Sequence, residues 1–241
     1  MTYCLGILLD DGLVLAADSR TNAGVDQIAL TRKLTFFHRD GDRMLGLMSA
    51  GNLATAQAVV ALLHQDCDDG GQTSLMSVPT MFGAAQLVGD TLRRVMARDG
   101  KFVKPFGNPE ASFILAGQIA GESHRLFEIY SAGNFIEAGH DTPFLQIGET
   151  KYGKPILVRM IRHDGNLLDA CKCALLSMDA TIRSNLSVAP PIDLLCYRRD
   201  SLVPQIYSRI EDADAYLNRL RDGYGNGLKD LFHALPQPPW L

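Results

Sequence analysis

Two hydrophobic periods share this chain. Residues 3–9, Tyr-Cys-Leu-Gly-Ile-Leu-Leu, form an apolar run of strand-like residues, and Asp10-Asp11-Gly12 closes it with a hairpin turn signal. Residues 13–17 supply the returning strand, after which 18–24 turns polar and reads as a loop. A second hairpin is predicted from 33–38, a turn at 39–43, and a strand at 44–49. The first quarter therefore reads as an antiparallel sheet of sequential hairpins. Ala50-Gly51-Asn52 ends the last strand, and the Asn52 side-chain oxygen suits the free N–H groups of a helix over 53 to about 65. A loop at 68–72 follows. A second helix over about 78–98 is predicted from Met81, Ala84, Ala85, Val88, Leu92 and Val95 at helical spacing.

The middle of the chain returns to strands at 112–116, 125–130, 135–137 and 144–147. Helices are expected over roughly 152–162 and 167–184, and Pro190-Pro191 forbids continuation before a strand at 192–197. A last amphipathic helix near 212–221 precedes the glycine-rich 222–227, a short helical piece and a tail at 236–241. The order is strands, two helices, strands, two helices, strand, with no linker or repeat. This predicts one α+β domain over 1–241 with a C-terminal helical extension at about 210–241. Its layers should be two packed antiparallel sheets with helices on both outer faces, a four-layer αββα sandwich.

Composition narrows the partners. Hydrophobic residues make up 46% and charged residues 21% of the 241, enough for a sizeable core. The net charge of -4 and pI of about 5.8 are too mild for a nucleic-acid or anionic-membrane partner. No apolar run approaches the roughly 20 residues that span a bilayer. The N-terminus lacks a basic region, and Asp10 and Asp11 interrupt its apolar stretch, so it does not read as a signal peptide. A cytoplasmic location is expected. Five cysteines, an odd number spread over the chain, do not form a disulfide framework. Cys171 and Cys173 are two apart in a helical pattern and do not face one another, and the six histidines lack ligand spacing. No metal and no cofactor are expected.

The candidate chemistry begins at Thr2. A threonine hydroxyl needs a base, and a terminal α-amine with a pKa of about 7.7–8.0 supplies one in the same residue. Thr2 is small enough for methionine removal, so no propeptide longer than Met1 is required. A Met-Thr start is common; its surroundings give it meaning. Thr2 leads directly into a strand, and Asp18-Ser-Arg20 ends the strand hairpinned to it. Lys33 opens the next strand, and Ser49-Ala-Gly51-Asn52 lies at a strand-to-helix junction. In these spaced motifs, and in Ser184-Asn-Leu-Ser187-Val-Ala-Pro-Pro-Ile-Asp193, the chain resembles proteasome β-type subunits, which are N-terminal nucleophile hydrolases. It most resembles the bacterial Anbu family, whose chains begin Met-Thr-Tyr-Cys. The likeness runs over essentially the whole length.

That resemblance implies Thr2 as nucleophile, Asp18 as acidic partner and Lys33 as the lysine beside it. It implies Gly51 as the oxyanion-hole N–H, and Ser131 and Ser187 as hydroxyls that orient the α-amine and a relaying water. A lysine near the hydroxyl stabilises the alkoxide and keeps the amine neutral, while a carboxylate holds the lysine charged. Ser131 also reads as an ordinary hairpin serine. One departure stands out: proteasome subunits carry an aspartate three residues before the serine and a glycine after it. Here Ser184 takes the aspartate's place and the glycine is missing, and Asp179 lies more than a helical turn upstream. By position, Arg20, Thr31, Ser49 and Leu53 would line the substrate cleft, Arg20 attracting acidic side chains and Ser49 and Leu53 admitting small or apolar ones.

Three activities fit: a threonine peptidase acting on peptides or unfolded protein inside a homo-oligomer, an amidase acting on a small amide, or an assembly scaffold. The resemblance further implies rings or ring-like helical assemblies, with the terminal helix (Tyr216, Leu217, Leu220) and the Trp240 tail as a candidate interface. The chain contains no P-loop, so any ATP-driven unfolding would belong to a separate partner.

Overall fold

The structure is a computed structural model that describes residues 2–23, 27–68 and 73–240. Strands β1 (Tyr3–Leu9), β2 (Gly12–Asp18), β3 (Arg20–Ala23), β4 (Gln27–Leu30), β5 (Leu34–Arg39) and β6 (Arg43–Gly51) precede helices α1 (Leu53–Asp68) and α2 (Met81–Val103). Next come β7 (Ala111–Ile119), β8 (Arg125–Ile129), β9 (Phe135–Glu137), β10 (Phe144–Gly148), α3 (Lys154–Met160) and α4 (Leu167–Ser184). The chain closes with β11 (Ile192–Arg198), β12 (Pro204–Ile210) and α5 (Ala215–Ala234).

One antiparallel sheet has the order β10-β1-β2-β11-β12 and the other β5-β6-β7-β8-β9. The strand period of two divides their side chains between two interfaces. In β2, Leu13, Leu15 and Ala17 face the second sheet and meet Leu34, Met44, Met48, Ile114 and Leu126. Val14 and Ala16 alternate to the outer face, where α3, α4 and the start of α5 cover them through Leu157, Ala174, Met178 and Leu217. On the far side, α1 and α2 lay Val59, Leu63, Val88 and Leu92 over Leu45, Leu47, Phe113 and Phe127. These are the four expected layers. Double coverage explains why β1 and β2 are buried at every position and read as continuous apolar runs rather than alternating ones.

The helix starts have local causes. Asn52 Oδ1 accepts the Thr55 N–H at 3.1 Å, and Thr80 Oγ1 accepts that of Gly83 at 3.0 Å. That second cap begins α2 at Met81, three residues later than about 78.

Three segments differ from the sequence expectation. Part of the polar stretch over 18–24 is β3, paired with β4 in a separate two-stranded ribbon, and its polar residues offer no apolar alternation to read. β12 is an outer strand paired to β11, and its Pro204 sits at the first position, where a missing N–H is tolerated. The expected break at 222–227 is absent: α5 runs through Gly223, Gly225 and Gly227. Asp214 Oδ1 caps its start by accepting the Leu217 N–H at 2.8 Å, and each glycine costs a helix only about 1 kcal/mol. In the loop expected at 68–72, residues 69–72 lie outside the described residues, as do Met1 and residue 24 of the polar stretch. No helix among the described residues is long and apolar enough to cross a membrane.

Candidate active site

Thr2 stands half-buried immediately before β1. The hairpin register, Cys4 opposite Ala17, carries the next residue of each strand into contact, and Tyr3 N–H donates to Asp18 Oδ1 at 2.9 Å. Lys33 Nζ donates to the same oxygen at 2.7 Å and to the Arg20 carbonyl at 2.6 Å, while Arg20 N–H donates to Asp18 Oδ2 at 3.1 Å. Lys33 precedes β5 and is held by its carbonyl, which accepts the Ser49 N–H at 3.1 Å. Asp18 is 0% and Lys33 7% exposed, so each is tolerable there as an ion only because of the other. Burial pushes the Asp18 carboxyl above the ordinary aspartate value, against the pull of Lys33 and of the Tyr3 N–H. Cys4, the other nucleophilic side chain here, is fully buried, and that burial pushes its thiol far above the usual range. It stays neutral, an unreactive packing thiol.

Gly51 ends β6 with φ +103°, and a Cβ there would lie 2.4 Å from the Glu110 carbonyl oxygen. Only glycine accepts both conditions. A cavity of about 520 Å³ brings Gly51 and Ser131 together, with Ser112, Glu128 and Gly148 also on its wall. Gly148 presses on Thr2: at φ +84°, a Cβ would meet the Thr2 carbonyl oxygen at 1.9 Å. Around Lys33, a separate cleft of about 200 Å³ is lined by Thr31, Ser49 and Leu53, with Ala56 and Val60 of α1. Thus three of the four expected specificity residues share one cleft. Arg20 does not line it, because its guanidinium is turned to the Leu186 carbonyl, which accepts from Nη1 at 2.8 Å.

Ser187 is half-buried in the loop after α4, and its N–H donates to Asn185 Oδ1 at 2.9 Å. Ser184 is exposed on the last turn of α4. Asp179 is committed elsewhere, accepting from Arg183 Nε at 2.9 Å and Arg221 Nε at 2.6 Å. Sequence reasoning missed Glu149: its N–H donates to the Thr2 carbonyl at 2.7 Å, and its buried carboxylate accepts from Asn185 Nδ2 at 2.9 Å. A single acid after a strand gives no pattern to find. It also missed Tyr3 Oη, which shares a hydrogen bond of 2.7 Å with Ser177 Oγ and accepts from Gln146. That bond fastens the start of β1 to α4. Chemically, the site offers a hydroxyl at a strand entrance, a buried lysine tied beside it, and a glycine N–H at a helix entrance. Among the described residues, no group of three or more His, Cys, Asp or Glu could hold a metal ion.

Residues 2–194 match the family described as Proteasome subunit. Among solved structures, the chain is similar to Anbu (ancestral β-subunit) from Yersinia bercovieri, with 48% identity, 98% of each chain covered and a TM-score of 0.93. It is similar to the protein in a helical assembly of the Anbu complex from Pseudomonas aeruginosa, with 50% identity, 98% of each chain covered and a TM-score of 0.94. An Anbu (Gly-1) mutant from Hyphomicrobium sp. strain MC1 is 47% identical, with 99% of each chain covered and a TM-score of 0.93. No curated protein matches. With the two-sheet sandwich, this likeness over nearly the full length shows that the chain belongs to the Anbu family of proteasome β-subunit-like proteins and has their α+β N-terminal nucleophile hydrolase fold.

Proposed function

We propose that the protein is a threonine peptidase of the proteasome type, with Thr2 as nucleophile once Met1 is removed. The observation that carries this reading is the shared Asp18 oxygen, which ties the Lys33 ammonium to the peptide following Thr2. The free α-amine, acting through a water, takes the hydroxyl proton, and Lys33 lowers the energy of the alkoxide. The alkoxide attacks the substrate carbonyl carbon. The resulting oxyanion is received by the Gly51 N–H, a donor worth about 10²–10³ in rate in comparable sites. The protonated amine then gives its proton to the leaving nitrogen, leaving an ester on Thr2 that water hydrolyses. Ser131 and Ser187 orient the amine and the water. Thr31, Ser49 and Leu53 favour a small or apolar side chain in the cleft of about 200 Å³.

The substrate is peptide or unfolded protein, admitted to a homo-oligomer. The helical assembly of the Pseudomonas aeruginosa relative supports a ring-like or helical arrangement of this chain. The proposed location is the cytoplasm, and any ATP-driven unfolding would belong to a separate partner. The deciding experiment combines the N-terminal mass, an electrophilic probe and hydrolysis of peptide and small-amide panels. Loss of Met1, an adduct on Thr2 and peptide cleavage abolished by Thr2→Ala are expected. Cleavage confined to small amides would make it an amidase, and full retention of Met1 would make it a scaffold.

A further inference from the structure

The loop after α4 poses a problem for the proposed chemistry. No acid in it can accompany the α-amine, because Ser184 is exposed and Asp179 is bound by two arginines. A carboxylate nevertheless meets that loop from beside Thr2, at the residue that follows β10. β1 and β10 pair with Tyr3 opposite Gly148, and the same register sets Thr2 opposite Glu149. The Glu149 N–H completes that step by donating to the Thr2 carbonyl at 2.7 Å. The missing Cβ of Gly148 lets the two backbones close to this distance.

The Glu149 carboxylate is built in. The residue is 7% exposed, which is rare for an acid. Oε2 accepts from Asn185 Nδ2 at 2.9 Å, while Oε1 has Lys151 Nζ at 3.5 Å, from a lysine side chain that is itself 67% exposed. A carboxylate has about four acceptor positions, and one amide with one distant ammonium leave room for another donor. Asn185 fixes the geometry. Its Oδ1 accepts the Ser187 N–H, so its Nδ2 must be the atom that faces Glu149. One amide therefore braces Glu149 against the loop that carries Ser187.

We propose that Glu149 is the positioning carboxylate of the Thr2 α-amine, occupying from the end of β10 the role that an acid at position 184 would fill from α4. It orients the amine for proton transfer and, as a nearby negative charge, stabilises its protonated form. Asn185 holds it in place. This assignment rests on the proposed use of Thr2 as an N-terminal nucleophile.

The test uses full-length protein whose N-terminal mass shows Met1 removed, and measures two quantities for wild type, Glu149→Gln, Glu149→Asp and Asn185→Ala. One is the α-amine pKa, from the pH dependence of N-terminal acylation by an amine-reactive anhydride, read by mass. The other is the pH profile of kcat/KM on a peptide. Removing the negative charge should lower the α-amine pKa by about one unit and kcat/KM by about tenfold. Aspartate should restore part of both, and Asn185→Ala should shift both in the same direction by less. Asn185→Ala decides the matter if Glu149→Gln fails to fold. An amine pKa unchanged in folded variants overturns the assignment, even if Thr2-dependent cleavage is intact and the peptidase reading stands. A shifted amine pKa in a protein that cleaves nothing supports the assignment and overturns the peptidase reading. Full retention of Met1 overturns both.

Discussion

Asp18 Oδ1 receives both the Tyr3 N–H and the Lys33 ammonium, so a single buried atom fixes the backbone beside Thr2 and a buried cation. Its burial has a pH signature. With its pKa raised by desolvation, Asp18 keeps its proton to higher pH in the folded than in the unfolded chain. That contribution to stability is fully present below the ordinary aspartate value, about 3.9, and is lost as pH rises through the raised folded value. Asp18→Asn has no proton to lose, so its melting temperature relative to wild type should climb across that window; a flat difference would contradict the raised pKa. Gly51→Ala is expected to destabilise by about 1–3 kcal/mol, because its Cβ meets the Glu110 carbonyl and its φ is +103°. It should also cost about 10²–10³ in hydrolysis rate if that N–H serves the oxyanion. Thermal melts and peptide turnover measure the two effects, and unimpaired turnover would remove Gly51 from the mechanism. Asp18, Lys33 and Gly51 stand out in the sequence because charged residues or a glycine interrupt strand-forming sequence at junctions, in an order a known family shares. Glu149 and Asn185 do not, since each is an ordinary loop residue until the β1–β10 register sets Glu149 beside Thr2 and the end of α4 brings Asn185 to Glu149. Arg20 lies outside the Lys33 cleft because position along the chain does not say where a long side chain turns.

At the scale of elements, legibility followed burial. β1, β2 and the apolar face of α2 announced themselves because their packing imposes a period. β3, β4 and β12 did not, since a ribbon and an outer strand need only backbone pairing. In α5 the glycines outweighed the helical pattern on paper but not in the fold, where Leu217, Leu220 and Tyr224 pack on the core and Arg221 binds Asp179. Those anchors lie in its first half. A Cβ at Gly223 or Gly227 would meet nothing within 4 Å, so alanine there adds helix propensity without a clash. Each substitution should stabilise the helix by about 1 kcal/mol and slow amide exchange over the second half of α5 about fivefold. Hydrogen exchange by mass spectrometry reads this directly, and unchanged exchange would mean that the glycines are not the weak points of α5.

For the whole molecule, the four layers follow from hairpin strands alternating with helix pairs, but the surface between copies has no such periodic signature. The residues first expected at an interface divide in the structure: Leu217 is fully buried in its own core and Leu220 packs against that core, whereas Tyr216 is exposed. Farther along, Leu228, Leu231, Phe232 and Leu235 are 47%, 57%, 72% and 54% exposed, and Trp240 is 82% exposed. Leu228, Leu231 and Phe232 fall on one stripe of α5, at the spacing of a helix that buries a face, and Leu235 caps its end. A stripe of this kind left in water is costly, and the proposed homo-oligomer gives it an occupant in a second copy of the chain. Cutting the chain at 212 would test this badly, because it also removes Leu217 and Arg221, which close the subunit's own core and bind Asp179. Leu231→Asp with Phe232→Asp leaves those anchors untouched. The double variant should keep the wild-type melting temperature of the subunit while its mass by light scattering falls. If the mass is unchanged, the contact between copies lies elsewhere and α5 only closes its own subunit.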